Sequence, residues 1–175
     1  MSIKPPWSLK TPLGVLGPAP KIFELEADEA SRQRIARLLD LAELRSLTAR
    51  VGLTAWFDGV QVDGSWRAEV VQSCGVTLEP LESAPSGDFI VRAVPASSVH
   101  AAAEEDEVEV DLEADDPPDI LVDDTVDIAA YVVEHLALEI DPFPRKPGVE
   151  FEPPKPQEEL SPFAVLRRLQ DKDRE

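Results

Sequence analysis

The stretch LTARVGLTAWFDGVQVDGSWRAEVVQSC, residues 47–74, has the clearest β-strand pattern in this 175-residue chain. Apolar and polar residues alternate on both sides of Asp58-Gly59, a dipeptide that favours the tight turn of a β-hairpin. The spacing therefore predicts two long antiparallel strands. Their apolar faces are Leu47, Ala49, Val51, Leu53, Ala55 and Phe57 on the first strand, and Val60, Val62, Trp66, Ala68, Val70 and Cys74 on the second.

Shorter strand patterns flank this hairpin. KIFELEA (21–27) precedes it, and VTLEPLES (76–83) and DFIVRAV (88–94) follow it. Strands joined by such short connections pair as an antiparallel meander, whose apolar side needs a cover.

Two helices are predicted to provide that cover. Asp28 is in position to cap a helix over EASRQRIARLLDL (29–41), and Asp124 or Thr125 is in position to cap a second helix that runs to Ile140. We therefore expect an α+β fold, with an antiparallel β-sheet packed against two main helices and a short C-terminal helix. Curling of the sheet toward a barrel-like form remains an open alternative.

Prolines and acidic residues divide the chain into four parts. Residues 1–20 hold five prolines and are predicted to form an extended N-terminal arm. Residues 21–142 form a single α+β domain that includes an acidic segment, 104–124. Residues 143–160 are a proline-rich linker, and residues 161–175 are a C-terminal helix that begins at Ser161.

The formal net charge of −18 is concentrated in one region. Of the 35 Asp and Glu residues, 16 lie between Glu104 and Asp141, a stretch that contains no Lys or Arg. Such a region attracts basic partners and repels phosphate backbones, so we expect neither DNA binding nor non-specific RNA binding through it.

Few chemical sites are indicated. No window of 18 apolar residues predicts a membrane span, and a cytoplasmic protein without membrane contact is expected. Cys74 is the single cysteine, for which a buried structural thiol is favoured over a nucleophile. No catalytic residue, metal ligand or cofactor is predicted. Trp56 and Trp66 could stack nucleic-acid bases, but packing in the core is the favoured interpretation.

Three stretches together resemble the YceD-type large ribosomal RNA subunit accumulation protein family, in its alphaproteobacterial form. They are QSCGVTLEPLE (72–82), DDPPDILVDDTVDIAAYVVEHLALEIDPFPRKPG (115–148) and SPFAVLRRLQ (161–170). The resemblance implies a bacterial factor needed for normal accumulation of large-subunit rRNA, with no enzymatic activity. Many relatives carry Cys-x-x-Cys where this chain has Cys74-Gly75-Val76-Thr77, and this departure argues against a metal role.

The expected function is therefore that of a non-enzymatic ribosome-assembly factor. Its expected partner is a large-subunit precursor or a basic ribosomal protein, and direct contact with RNA is left open. A metal-dependent RNA-processing enzyme and an acidic interaction domain unrelated to ribosomes are the alternatives.

The residues predicted to contact partners lie mainly in the second half of the chain. The segment DPFPRKPG (141–148) is interpreted as a fixed turn or, less favoured, as a docking surface. Arg34 and Arg37 are predicted to face RNA. The other candidates are Glu104, Glu105, Asp106, Glu107, Asp115, Asp116, Asp141, Phe143, Arg145, Lys146, Phe163, Leu166, Arg167 and Arg168.

Overall fold

The computed structural model describes residues 5–17, 19–101 and 117–151. Within them lie eight strands and two α-helices. In chain order these are β1 (Lys10–Pro12), β2 (Lys21–Glu26), α1 (Glu29–Leu38), β3 (Glu43–Trp56), β4 (Gly59–Ser73), β5 (Pro80–Ser83), β6 (Ser86–Pro95), β7 (Asp119–Leu121), β8 (Thr125–Asp127) and α2 (Ile128–Glu139).

The long hairpin predicted from residues 47–74 is confirmed, but its turn lies one residue earlier than expected. Trp56 pairs with Gly59, so the two loop residues are Phe57 and Asp58, and Phe57 has a left-handed φ of 50°. Gly59 instead begins β4, where a Cβ atom would lie 2.1 Å from the backbone oxygen of Ala93. The glycine is therefore needed for the close approach of β6, and the strain of the turn falls on Phe57.

The main sheet has the strand order β2-β3-β4-β6-β7, and β5 pairs with the end of β4 beyond β6. The predicted α+β class is confirmed, but the prediction of a purely antiparallel sheet is wrong, because β7 pairs with β6 in parallel. A parallel pair needs a long crossover, and here the chain between Pro95 and Asp119 supplies it. The barrel-like alternative is also wrong, since no described strand joins the edges β2 and β7.

One continuous apolar core lies between the sheet and both helices. Val51, Val62 and Trp66 from the hairpin are buried together with Ile35 of α1 and Leu136 of α2. The core face of β3 and β4 follows the period-two pattern of the sequence over most of its length. The opposite face of these strands carries the polar residues of the same pattern.

The start of α1 agrees with the sequence, whereas the start of α2 does not. Asp28 caps α1 by accepting a hydrogen bond of 2.7 Å from the Ser31 amide. The predicted caps of α2, Asp124 and Thr125, are wrong, and Asp127 caps the helix instead through the Ala130 amide.

The shift has a structural cause in the N-terminal part of the chain. Residues 125–127 form β8, which pairs antiparallel with β1, so the backbone is extended there and the helix begins later. Asp127 also accepts hydrogen bonds from the Ser8 hydroxyl and the Leu9 amide, which ties residues 8–12 to the start of α2.

Several predicted features lie outside the described residues. These are the acidic residues 104–107, 115 and 116, most of the linker, and the C-terminal helix with Phe163, Leu166, Arg167 and Arg168. Neither helix in the described ranges combines the length and hydropathy needed to cross a bilayer.

Candidate partner-binding surfaces

The candidate residues Asp141, Phe143, Arg145 and Lys146 lie together in a turn packed beside the ends of β4 and β5. The Asp141 carboxylate accepts a hydrogen bond of 2.8 Å from the Phe143 amide, and the Asp141 carbonyl accepts one of 2.8 Å from the Gln72 side chain. Arg145 is exposed and lines shallow grooves on both sides of the turn. These contacts hold the segment as a structured turn.

Lys146 joins this turn to the loop between β4 and β5. Its ammonium lies 2.7 Å from the Glu79 carboxylate, which lowers the pKa of Glu79 and raises that of Lys146. The Gly75 amide donates to the Pro144 carbonyl at 2.8 Å. The turn 141–148 is therefore held by hydrogen bonds from both backbone and side chains.

Cys74 lies fully buried beneath this contact, which confirms the buried thiol. The Thr77 and Lys146 amides each approach its Sγ at 3.5 Å. Hydrogen bonds from Thr77, and after them from the Lys146 and Val76 amides, lower the pKa of the Cys74 thiol to about 6, against an opposing effect of burial. The sulfur thus accepts hydrogen bonds from both the 74–79 loop and the turn 141–148.

Among the described residues of the acidic region, several acidic groups lie on α2 or beside it. The Tyr131 hydroxyl donates to Asp119 at 2.8 Å, and burial with this contact raises the tyrosine pKa. Burial, followed by the nearby charges of Asp119 and Asp127, raises the pKa of Glu134. His135 is partly buried, and burial lowers its pKa. The surface thus collects like charges that repel one another.

The two arginines predicted to face RNA have different surroundings. Arg34 donates to the Pro6 carbonyl at 2.8 Å and to the Ser31 hydroxyl at 2.9 Å, so its guanidinium holds the N-terminal arm. Arg37 is exposed and lines a groove between α1 and the start of β3.

Arg45, at the start of β3, lines the same groove as Arg37, whereas two other arginines of the sheet lie on its opposite face. Arg50 and Arg67 alternate with buried residues and face away from the helices, so they do not join Arg34 and Arg37 in one described surface. Arg50 pairs with Glu24 at 3.0 Å. Arg45, at the start of β3, pairs with Glu43 and Glu82. Much of the positive charge of the body is therefore already engaged.

An aromatic cluster at the tip of the hairpin was not predicted from the sequence. Trp66 is buried, as the packing interpretation favoured, but Trp56 lies at the tip with Phe57 and His100. Phe57 is 70% exposed and stacks on His100. The assignment of Phe57 to the end of an apolar strand face hid this cluster, because the displaced turn moves the ring to the loop.

No group of His, Cys, Asp or Glu within the described ranges is arranged to hold a metal ion. The surfaces found there are shallow, and their contacts are hydrogen bonds, ion pairs and aromatic stacking.

A family model described as the large ribosomal RNA subunit accumulation protein YceD matches residues 62–170, more than half of the chain. The match includes most of the hairpin's second strand, the acidic region, the turn at 141–148 and the C-terminal motif. Searches of curated proteins and of solved structures found no match.

Proposed function

The chain belongs to the YceD family of large ribosomal RNA subunit accumulation proteins, and from this membership we propose that it is a cytoplasmic, non-enzymatic factor in assembly of the large subunit. It acts by binding a basic ribosomal protein, alone or on a precursor particle. The family description supports the link to large-subunit rRNA. The mode of action rests on the charges of the chain itself.

The observation that carries the proposal is the separation of charge along the sequence. Residues 104–141 contain 16 acidic residues and no Lys or Arg, whereas the remaining 19 acidic residues nearly balance the 17 Lys and Arg. A region of this kind repels RNA phosphates and attracts proteins rich in Lys and Arg. The proposed partner is therefore a protein whose basic residues would otherwise bind rRNA.

The described acidic residues support the same partner chemistry. Burial, and after it the nearby charges of Asp119 and Asp127, raises the pKa of Glu134, so part of this shift is repulsion between carboxylates. A cationic side chain placed among them would relieve this repulsion. The described arginines offer RNA less, because Arg34, Arg45 and Arg50 already have partners within the chain.

The test is recovery of the tagged protein from its own cells, with and without ribonuclease, followed by identification of bound proteins by mass spectrometry. We expect a basic large-subunit protein to remain after ribonuclease treatment and to be released as the salt concentration rises from about 50 mM to about 300 mM. Loss of all ribosomal proteins after ribonuclease would contradict direct protein binding. Binding that does not respond to salt would contradict the electrostatic mechanism.

A matched pair of variants tests whether the acidic residues 104–107 bind the partner. One variant replaces the four acids of residues 104–107 by Gln or Asn. The control neutralises four exposed acids elsewhere, namely Glu26, Asp40, Glu69 and Asp88. Because both variants change the net charge equally, only the first should weaken the partner if position matters. Equal weakening would indicate a general charge effect.

The absence of enzymatic activity is tested separately. Purified protein is incubated with precursor rRNA and Mg²⁺ or Mn²⁺, next to a variant with Asp115→Asn and Asp116→Asn. We expect no cleavage by either protein. Metal-dependent cleavage that disappears in the variant would replace the proposal with an RNA-processing enzyme.

A further inference from the structure

We propose that the hairpin tip formed by Trp56, Phe57 and His100, here called the aromatic tip, binds an arginine side chain of the basic partner. The inference rests on the proposed function, since it specifies how a partner of that chemistry is recognised. It adds a second kind of contact, stacking of a guanidinium on an aromatic ring, to the general attraction of the acidic region.

Both the backbone conformation of Phe57 and the exposure of its ring are energetically unfavourable in the folded protein. Its φ of 50° lies in the left-handed region, which an aromatic residue adopts only at a cost, and its side chain is 70% exposed. Neither the backbone nor burial of the ring explains a phenylalanine in this loop. A ring that must be reached from solvent would explain it.

The rings of the aromatic tip are arranged so that one face stays accessible. Phe57 stacks on His100 with 4.2 Å between ring centroids and 23° between the planes. Trp56 meets Phe57 edge-on at 4.7 Å, with 69° between the planes. Because His100 and Trp56 contact one side and the edge of Phe57, the outer face of its ring is left for a planar group.

A guanidinium already stacks at this end of the sheet. The guanidinium carbon of Arg92 lies 5.3 Å from the centroid of the Trp56 ring. This internal contact is of the same kind as the contact proposed for the Phe57 ring. Arginine suits it better than lysine, because its flat and weakly hydrated cation can lie parallel to the ring.

Ser98 holds the two loops of the tip in place. Its hydroxyl donates to the Asp58 carboxylate at 2.8 Å and accepts a hydrogen bond of 3.0 Å from the His100 amide. The Ser98 amide in turn donates to the Pro95 carbonyl at 2.9 Å. The rings are thus positioned before any partner arrives, which lowers the entropy lost on binding.

The charges near the tip select a cationic partner over RNA. Glu104, the first residue of the acidic region, lies four positions after His100 in the sequence. At the tip itself, Asp58 follows Phe57 and its carboxylate accepts the hydrogen bond from Ser98. This carboxylate and the acidic residues that follow His100 in the sequence would repel a phosphate backbone.

The test measures binding of fluorescent octa-arginine and octa-lysine peptides to the full chain at low salt. Phe57→Leu keeps an apolar side chain but removes the aromatic face. Its control is Phe151→Leu, because Phe151 is similarly exposed, at 68%, and lies in the groove lined by Gly75 and Ile140, away from the tip. We expect Phe57→Leu to weaken octa-arginine binding about threefold or more and octa-lysine binding less. Phe57→Tyr should retain the wild-type affinity and Phe151→Leu should have no effect.

The outcomes separate this inference from the proposed function. If neutralising residues 104–107 abolishes peptide binding while Phe57→Leu and Phe151→Leu behave alike, the acidic mechanism stands and the aromatic tip is refuted. If neither peptide binds the wild-type chain, both proposals fail. If an octa-uridine oligonucleotide binds and is lost with Phe57→Leu, the tip recognises RNA bases and the arginine assignment is wrong.

Discussion

The turns at the two ends of β4 both contain a left-handed residue, but different contacts hold them in place. Each turn contains an exposed apolar residue with a left-handed backbone, Phe57 with φ 50° at one end and Leu78 with φ 60° at the other. Beside Leu78, the buried Cys74 and the segment 141–148 hold the turn through several backbone hydrogen bonds. Beside Phe57, aromatic stacking and the hydrogen bonds of Ser98 hold the loop.

A left-handed residue thus occurs in two turns that we expect to have different roles. At the Cys74 end, the turn serves as an anchor on which a distant part of the chain is fixed. At the Phe57 end, the turn presents a ring to solvent. We therefore expect changes at the first end to alter stability, and changes of the ring itself at the second end to alter binding.

The largest effect is expected from Gly59→Ala, which disturbs the strand just behind the aromatic tip. The new Cβ would lie 2.1 Å from the Ala93 oxygen, so β4 or β6 must move, at a cost of about 3 kcal/mol. Urea denaturation measures the loss. In Gly52→Ala, the control, the Cβ meets nothing closer than 3.8 Å, and the change should stay within about 1 kcal/mol. Equal effects would mean that β6 does not approach Gly59 closely.

The second effect concerns Cys74, whose contribution to stability is expected to depend on pH. Hydrogen bonds lower the pKa of Cys74 to about 6, below that of an unfolded thiol. Between about pH 6 and about pH 8.5 the unfolded chain binds more protons than the folded chain, so this group adds stability as the pH rises and loses it as the pH falls through 6. Urea midpoints should show the advantage of wild type over Cys74→Ala growing across this range. A constant difference would show that the thiol stays protonated in the fold.

A smaller effect is expected from Ser98→Ala at the aromatic tip. The substitution removes the hydrogen bonds to Asp58 and His100 and should cost about 1 kcal/mol. It should also weaken octa-arginine binding, because the loop is no longer held for the partner. The exposed neighbour Ser97 provides the control, and Ser97→Ala should change neither stability nor binding. Normal binding by Ser98→Ala would show that preorganisation contributes little.

The smallest effect is expected from replacing the left-handed residue of each turn by glycine. Leu78→Gly and Phe57→Gly each relieve a left-handed backbone, and the gain is partly offset by the greater freedom of glycine in the unfolded chain. Each should therefore raise the unfolding free energy by only about 0.5 kcal/mol. Calorimetry and peptide binding on the same samples test this. Binding should fall for Phe57→Gly alone, and a loss with Leu78→Gly would contradict the division of roles.

The features that the sequence predicted well are those set by local patterns. Alternation over residues 47–74 predicted the hairpin, and the position of Asp28 predicted the start of α1. The turn at Phe57-Asp58 differed because Gly59 is required by β6, a distant strand. The parallel pairing of β7 and the pairing of β8 with β1 are likewise set by distant partners.

The candidate surfaces show the same limit. The sequence identified Asp141, Phe143, Arg145 and Lys146 as a group, and the structure brings them into one turn. It could not show that Arg34 is held by the N-terminal arm, because that contact spans 28 residues. The aromatic tip was missed because Phe57 and His100 are distant in sequence and meet only through the fold.

The pairing of β1 with β8 sets an order for folding during synthesis. Residues 10–12 are made first, but their partners at 125–127 are 115 positions later. At translation rates of 5–20 residues per second, this delay is about 6 to 23 s. The β3–β4 hairpin joins neighbouring residues and forms within about 10 µs once both strands are available. The N-terminal strand can therefore pair only late in synthesis, long after the central hairpin has been able to form.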